Sequence, residues 1–316
     1  MRAAPFGYLL VHFVEDHVGH GEQIFFSLSH GDDALRWRRL NQGEPILSSR
    51  LGTTGVRDPH LVRRHDGGFH LTATDLRVWR PDGPDWEEFR RRGSRSLVVW
   101  DSPDLVTWSA PRLVPVAPEN AGMAWAPEAV YDEDSGDYLV HFASALYDHD
   151  DPLHEGDVLA RLLVARTRDF RTFGAAETYL ELPGGVIDMR TASEDGRVHR
   201  FAKQDDAAPG SQQVFHQVGS SFFADDFVTL AGTIGQQFGA SLEGPLVFPS
   251  NDGERWYLWV DQYGEMPQGY HALTTTSLSS GSWAPVPDSD FQMPENTKHG
   301  VVLPLQGDEW ERLNAL

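Results

Sequence analysis

Short apolar or alternating runs dominate this chain, and clusters of Gly, Pro, Asp and Ser separate them. Helical periodicity is scarce, so the pattern predicts an all-β fold. One stretch shows the unit. In SLEGPLVFPSNDGERWYLWV, which starts at Ser241, an apolar run (Leu246, Val247, Phe248) precedes the turn cluster Ser250-Asn251-Asp252-Gly253 and a second apolar run over 256–260. That spacing predicts two strands and a tight turn.

The unit recurs. A strand, then Ser or Thr with an acid or Ser, a hydrophobic residue, and an aromatic or Leu three residues on, closes SLSHGDDALRWRRL at Trp37 and VVWDSPDLVTWSAP at Trp108. The same ending closes VARTRDFRTFGAA at Phe173 and FFADDFVTLAG at Leu230, with a weaker copy, LTTTSLSSGSWAPV, at Trp283. The intervals fall from about 70 to about 50 residues, within reach of four-stranded propeller blades with variable loops. A second marker opens each unit: GVRDPHLV at Val56, WAPEAVYD at Trp125, GVIDMRTA at Val186 and LEGPLVFP at Leu242. A fifth, TKHGVVLPL at Thr297, carries His in place of the acid and has one strand after it. GYLLVHFV and EQIFFSLS, at the other end of the chain, supply what it lacks. Residues 1–316 therefore read as a single five-bladed β-propeller whose N- and C-terminal segments share the last blade, a closure that removes exposed sheet edges. The polar insertions 82–95 and 145–157 read as surface loops, which at the open face of a propeller can shape a cleft.

Composition narrows the chemistry. Hydrophobic residues make up 40% and charged residues 23%, as in a folded soluble protein. The formal net charge of −21 repels nucleic-acid phosphates and anionic lipid headgroups but leaves a neutral ligand little affected. Ten residues are Trp, and aromatic faces suit sugar rings, although most of the ten read as core. The absence of Cys excludes disulfides, thiolate metal sites and a Cys nucleophile. The apolar run 6–14 is interrupted by Tyr8 and His12 and lacks a basic leader, so it does not read as a signal peptide. No apolar stretch approaches the roughly 20 residues of a membrane span. The expectation is a cytoplasmic protein, or a secreted one if a leader has been removed, with neither nucleic acid nor membrane as partner.

In a propeller the innermost strand of each blade runs beside the axis. The openings thus point Asp58, Glu128, Asp188 and Glu243 towards one end of a central funnel. Converging acids repel one another and raise some pKa values. That suits a reaction needing one carboxylic acid and one carboxylate; the bland alternative is a set of loop carboxylates capping turns.

Asp-Pro, Trp-Ala-Pro-Glu, Ile-Asp, Glu-Gly-Pro and a final His, in register with the blade repeats, resemble glycoside hydrolase family 43 along essentially the whole chain. Its members are five-bladed propellers that remove arabinose, xylose or related sugars with inversion. The resemblance implies Asp58 as general base, Glu243 as general acid, and Asp188 as a third carboxylate that orients substrate and, ionised, keeps Glu243 protonated near neutral pH. It implies Trp125 as the aromatic floor of the sugar subsite, with core packing the alternative, and Glu128 as a partner of a backbone group or a substrate hydroxyl. Arg57 either pairs with a neighbouring acid or touches the sugar. His299 resembles the His near an axial cation, often calcium, in many members. No cofactor for catalysis is implied; His-Glu-x-x-His, EF-hand, G-x-S-x-G and Walker patterns do not occur. Met189 stands where the family commonly has Pro, which weakens the third motif without removing its acid. The stretch before the first Asp-Pro is similar to branches with arabinofuranosidases and galactofuranosidases. The expected activity is inverting, exo-acting release of terminal α-L-arabinofuranose from oligo- or polysaccharides, so the expected partner is a carbohydrate substrate. β-D-Xylosidase and β-D-galactofuranosidase activities stay open, as does a non-catalytic glycan-binding propeller. A retaining fructosidase of the related five-bladed families fits less well, because GVRDPHLV does not match their Trp-Met-Asn-Asp-Pro-Asn type motif.

Overall fold

The computed structural model describes residues 4–16, 21–205, 213–264 and 268–316. Residues 17–20, inside the N-terminal stretch that resembles the arabinofuranosidase branches, lie outside them. The chain folds as the five-bladed β-propeller that its repeats predict: five antiparallel sheets of four strands each. In chain order, β1 (Pro5–Phe13), β2 (Ile24–His30) and β3 (Asp33–Arg39) begin the closing blade. Blade one is β4 (Val56–Arg63), β5 (Phe69–Asp75), β6 (Ser96–Ser102) and β7 (Arg112–Pro115). Blade two is β8 (Trp125–Asp132), β9 (Asp137–Ala145), β10 (Ala160–Thr167) and β11 (Glu177–Leu180). Blade three is β12 (Val186–Glu194), β13 (Arg197–Gln204), β14 (Val214–Gly219) and β15 (Val228–Ile234). Blade four is β16 (Leu242–Pro249), β17 (Trp256–Gln262), β18 (Gly269–Thr275) and β19 (Ala284–Pro285). β20 (Gly300–Gln306) then pairs with β1, so the first and last strands of the chain share one sheet.

Strand alternation explains why the blades stack. Successive side chains point to opposite faces of a sheet, and here each face meets a different neighbour. Leu9 and Val11 pack with Leu61, Leu71 and Trp100 of blade one. Tyr8 and Leu10, one residue out of phase, pack with Phe248 and Trp259 of blade four. Three further clusters fill the remaining interfaces. Both faces are covered, so the strands read as short, nearly continuous apolar runs.

Two of the recurring endings share one turn. Ser102 Oγ accepts from the backbone N–H of Leu105 at 2.8 Å, and Asp104 Oδ1 accepts from Thr107 N at 2.7 Å. In blade two Thr167 and Asp169 do the same for Phe170 and Thr172. These side-chain acceptors mimic backbone turns. They hold Leu105 and Phe170 at positive φ (70° and 53°) while burying both side chains completely.

Among the described residues, two α-helices stand outside the blades, one of them in an insertion expected as a loop. Insertion 82–95 carries α1 (Trp86–Arg92), capped by Asp85, whose side chain accepts from Glu88 N. Its first-turn Glu87 and Glu88 and its last-turn Arg90, Arg91 and Arg92 complement the helix dipole. After β20, α2 (Gly307–Asn314) packs back on the closing blade through Leu313 and through a two-pronged Arg63–Glu309 ion pair. Among the described residues, no helix is long and apolar enough to cross a membrane.

Candidate active site

The innermost strands β4, β8, β12 and β16 share one irregularity. Each skips register over two residues: between Arg57 and His60, Trp125 and Glu128, Ile187 and Arg190, and Glu243 and Leu246. The first skipped residue has positive φ in every case: Asp58 (49°), Ala126 (49°), Asp188 (52°) and Gly244 (51°). Such bulges re-aim side chains, and Asp tolerates the left-handed region through local hydrogen bonding. Asp58 and Asp188 therefore line a cavity of about 30 Å³ together with Ala126, Gly244 and His299. Glu243 precedes its bulge and lines an adjoining cleft of about 470 Å³ with the same two aspartates and His299. Gly244 is required where it stands, because a Cβ would lie 2.4 Å from the His299 ring. Its N–H donates to Asp188 Oδ2 at 3.2 Å.

Glu128 does not join the funnel. Ala126 occupies the position equivalent to Asp58 and Asp188, and Glu128 lies two residues further along the strand, 5% exposed. It accepts from the backbone N–H of Thr191 at 3.1 Å and lies 3.7 Å from Arg190. Its burial pushes its carboxyl up to about 7 despite those partners. Of the two alternatives left open for it, the backbone contact is the one observed. Arg57 pairs with a neighbouring acid: Nη1 donates to Glu22 Oε1 at 2.7 Å, and the guanidinium lies 4.3 Å from the Phe13 ring. It also lines the cleft. Trp125 does two things at once. One side packs on Leu76, Val78 and Phe89, and the ring also lines the cleft.

His299 sits among four carboxylates. Nδ1 lies 3.2 Å from Asp58 Oδ1, and Nε2 lies 3.3 Å from Glu243 Oε1 and 3.2 Å from Asp261 Oδ2. Asp188 completes the group, with ligand-type atoms of Asp188, Glu243 and His299 all within 4.8 Å of one another. Asp58 Oδ2 accepts from Thr74 Oγ1 at 2.9 Å, which fixes that carboxylate from the neighbouring strand. Two ammonium groups enter as well. Lys203 Nζ lies 2.9 Å from Glu243 Oε2, and Lys298 Nζ lies 2.9 Å from Asp261 Oδ1. The sequence reading missed both lysines and Asp261. A signal existed: these are the only two lysines in the chain, and each stands in an otherwise apolar or site-forming stretch, FAKQ and TKHG.

The ionisation pattern corrects one expectation. Burial alone would push Glu243 up, but the Lys203 ammonium and then His299 hold it well below the usual carboxylate range. Burial pushes Asp188 the other way, up to about 6, with Glu243 and Asp58 adding to the rise and His299 and Lys203 opposing it. Burial disfavours charge on His299, yet its contacts with Asp261, Asp58 and Glu243 hold the ring well above its ordinary value. Asp188 rather than Glu243 is the carboxyl poised near neutrality. The direct 2.9 Å contact of Glu243 with a buried ammonium is the reason.

The same charges bear on the axial cation. The donor spacing of Asp188, Glu243 and His299 would suit a small ion. A metal, however, needs an unprotonated ring nitrogen, and the surrounding carboxylates keep this imidazole protonated. Lys203 and Lys298 already supply positive charge to Glu243 and Asp261. The donor set therefore fits the chain's own cations better than a metal, and no chemistry is assigned to one. Treatment with excess EDTA followed by desalting is expected to change kcat and Tm by less than the scatter between replicates. A drop restored by calcium would reverse this conclusion.

Residues 4–311 match the model of a family described as a probable glycosyl hydrolase domain, related to glycoside hydrolase family 43. The chain belongs to that family. A relative of this chain is an α-L-arabinofuranosidase of Bifidobacterium longum subsp. longum, 29% identical over 238 residues, which cover 71% of this chain and 22% of the relative. The chain thus spans about a fifth of the length of the curated relative it matches. Among solved structures, a family 43 β-1,3-galactosidase with galactodeoxynojirimycin superposes with a TM-score of 0.61 at 11% identity, over 93% of this chain and 94% of that one. An α-L-arabinofuranosidase from Lactobacillus brevis gives 0.53 at 17% identity, over 78% and 74%. These likenesses show the propeller fold.

Proposed function

We propose that this glycosyl hydrolase is an exo-acting, inverting α-L-arabinofuranosidase. Asp58 serves as general base, Glu243 as general acid, and Asp188 orients the sugar between them. The observation that carries this reading is the placement of His299. Its ring bridges Asp58 and Glu243 with N···O contacts of 3.2 and 3.3 Å. Contacts on two different ring nitrogens put the imidazole between the carboxyls, which supports the wider separation of inverting enzymes, roughly 6.5–9.5 Å, over the roughly 5–5.5 Å of retaining ones. An inverting mechanism needs that separation to admit a water beneath the sugar. Asp58 takes a proton from that water as its oxygen attacks the anomeric carbon. Glu243 gives a proton to the departing glycosidic oxygen, and the glycosidic bond breaks on the opposite face. To do so Glu243 must first be charged with a proton. Lys203 at 2.9 Å and the His299 imidazolium at 3.3 Å both touch it. An imidazolium is ordinarily a far stronger acid than an ammonium, so His299 is the donor, and exclusion of water by a neutral sugar favours the neutral carboxyl. The choice of arabinofuranose rests on the relative in Bifidobacterium.

The test pairs a screen with stereochemistry. Nitrophenyl α-L-arabinofuranoside should be hydrolysed well above the xyloside and galactofuranoside. Proton NMR of the first-formed sugar should show the inverted β anomer. A retained anomer rules out the Asp58–Glu243 assignment, and preference for another glycoside rules out the arabinofuranose one.

A further inference from the structure

The helical insertion in blade one carries the most conspicuous feature of the cleft that the catalytic reading leaves unused. β4 starts at the catalytic end and β5 returns to it, so the connection between β5 and β6 lies on the same face as Asp58 and Glu243. Its helix α1 is too short to persist alone, and packing holds it from several sides. Phe89 is buried against Leu76 and Val78, with Trp125 packed on them. Arg90 pairs with Asp205 of blade three at 2.6 Å. Arg91 donates to the carbonyls of His154 and Gly156 at 3.0 and 2.6 Å, and Arg92 donates to that of Leu153 at 3.1 Å. The two polar insertions, expected as separate loops, therefore lock together into one wall.

That wall fixes an indole in the open. Trp86 is 47% exposed, and among the described residues it is the only tryptophan in the exposed class. It meets Trp125 edge-to-face, with ring centroids 6.2 Å apart and planes at 80°, and it lies 6.0 Å from the Arg57 guanidinium. The two rings make a corner of the cleft. The catalytic carboxylates and His299 occupy its floor, where the cleft meets the small axial cavity. A terminal sugar bound at the floor directs whatever it is attached to outward, past the rim on which Trp86 stands. A flat, immobilised aromatic face there suits a ring with a continuous C–H face.

Resting on the glycosidase reading above, in which the leaving group is itself a saccharide, we infer that Trp86 is the platform for the leaving-group sugar. Binding energy from such a remote contact favours long substrates over short ones. The probes are arabinofuranosyl xylotetraose and α-1,5-arabinotriose as oligosaccharide substrates, with methyl α-L-arabinofuranoside as the substrate that has no second ring. In Trp86→Ala, kcat/KM on the oligosaccharide that the wild type prefers should fall on the order of tenfold or more, mainly through KM. On the methyl glycoside it should stay within about twofold, and Trp86→Phe should retain most of the oligosaccharide activity. Equal loss on both substrates, or no loss on the oligosaccharide, overturns the proposal. Unchanged circular dichroism shows that the variants fold. Should the wild type hydrolyse none of these, the arabinofuranosidase reading falls separately. The platform is then read by calorimetric titration of wild type and Trp86→Ala with xylotetraose and arabinobiose. Binding lost in the variant supports it, and no difference between the two proteins, whether both bind or neither does, overturns it.

Discussion

Glu243→Gln should lower kcat on an arabinofuranosyl oligosaccharide by about 10²–10⁴-fold, the usual contribution of a positioned general acid. On dinitrophenyl arabinofuranoside it should lower kcat far less. The difference follows from the chemistry of the leaving group. A sugar alkoxide cannot depart without a proton, whereas dinitrophenolate is stable as an anion. Asp58→Asn should behave otherwise and cost both substrates alike, because attack by water needs the base whatever departs. Gln at 243 also withdraws the charge that faces Lys203, 4% exposed at the end of β13. An ammonium left unpaired in that environment destabilises the fold. Tm of the variant must therefore be measured beside kcat. Pairing the substitution with Lys203→Met should recover stability and leave the leaving-group dependence unchanged. Equal losses of Glu243→Gln on the two substrates would move the acid role away from Glu243.

The blade plan was legible because it is written in local chemistry. The expected openings at Val56, Trp125, Val186 and Leu242 are the first residues of β4, β8, β12 and β16. The Ser/Thr–Asp endings are turns whose hydrogen bonds lie within a few residues. The placement of Glu128 was misread for a specific reason. Matching acid to acid put it beside Asp58, whereas the bulges align Pro59, Pro127, Met189 and Pro245, which leaves Ala126 opposite the two aspartates. Helix α1 was missed because WEEFRRR has little apolar periodicity and is held by tertiary bonds from its arginines to blades two and three. The direction of the Glu243 shift was misread because it depends on Lys203, forty residues away in sequence and brought to 2.9 Å by the pairing of blades three and four.

The other large effect concerns Asp188, and its two parts have opposite signs. Asp188→Asn should cost kcat on the order of 10²–10³-fold, since it removes a carboxylate that faces the reacting sugar. The same substitution should stabilise the protein above pH 6. The carboxyl of Asp188 is raised in the fold from its ordinary 3.8 to about 6, chiefly by burial. A raised acid binds its proton more tightly in the folded chain than in the unfolded one. The wild type therefore bears the cost of ionising it in full above pH 6. That cost shrinks as pH falls from 6 towards 4 and is absent below both values. At 1.36 kcal/mol per pH unit the cost reaches up to roughly 3 kcal/mol, and the shared charge with Glu243 and His299 makes the realised figure smaller. Asn keeps the shape and an oxygen to accept from Gly244 N, but it has no charge to desolvate. Denaturant melts at pH 8, 4.5 and 3 should show the variant ahead of the wild type at the first, clearly less so at the second, and level at the third. A variant that is weaker at pH 8, or ahead by the same margin at every pH, would mean that the ion pairs around His299 need the Asp188 charge to hold the ring of blades together. Asp188 would then belong to the scaffold rather than to a site that trades stability for chemistry.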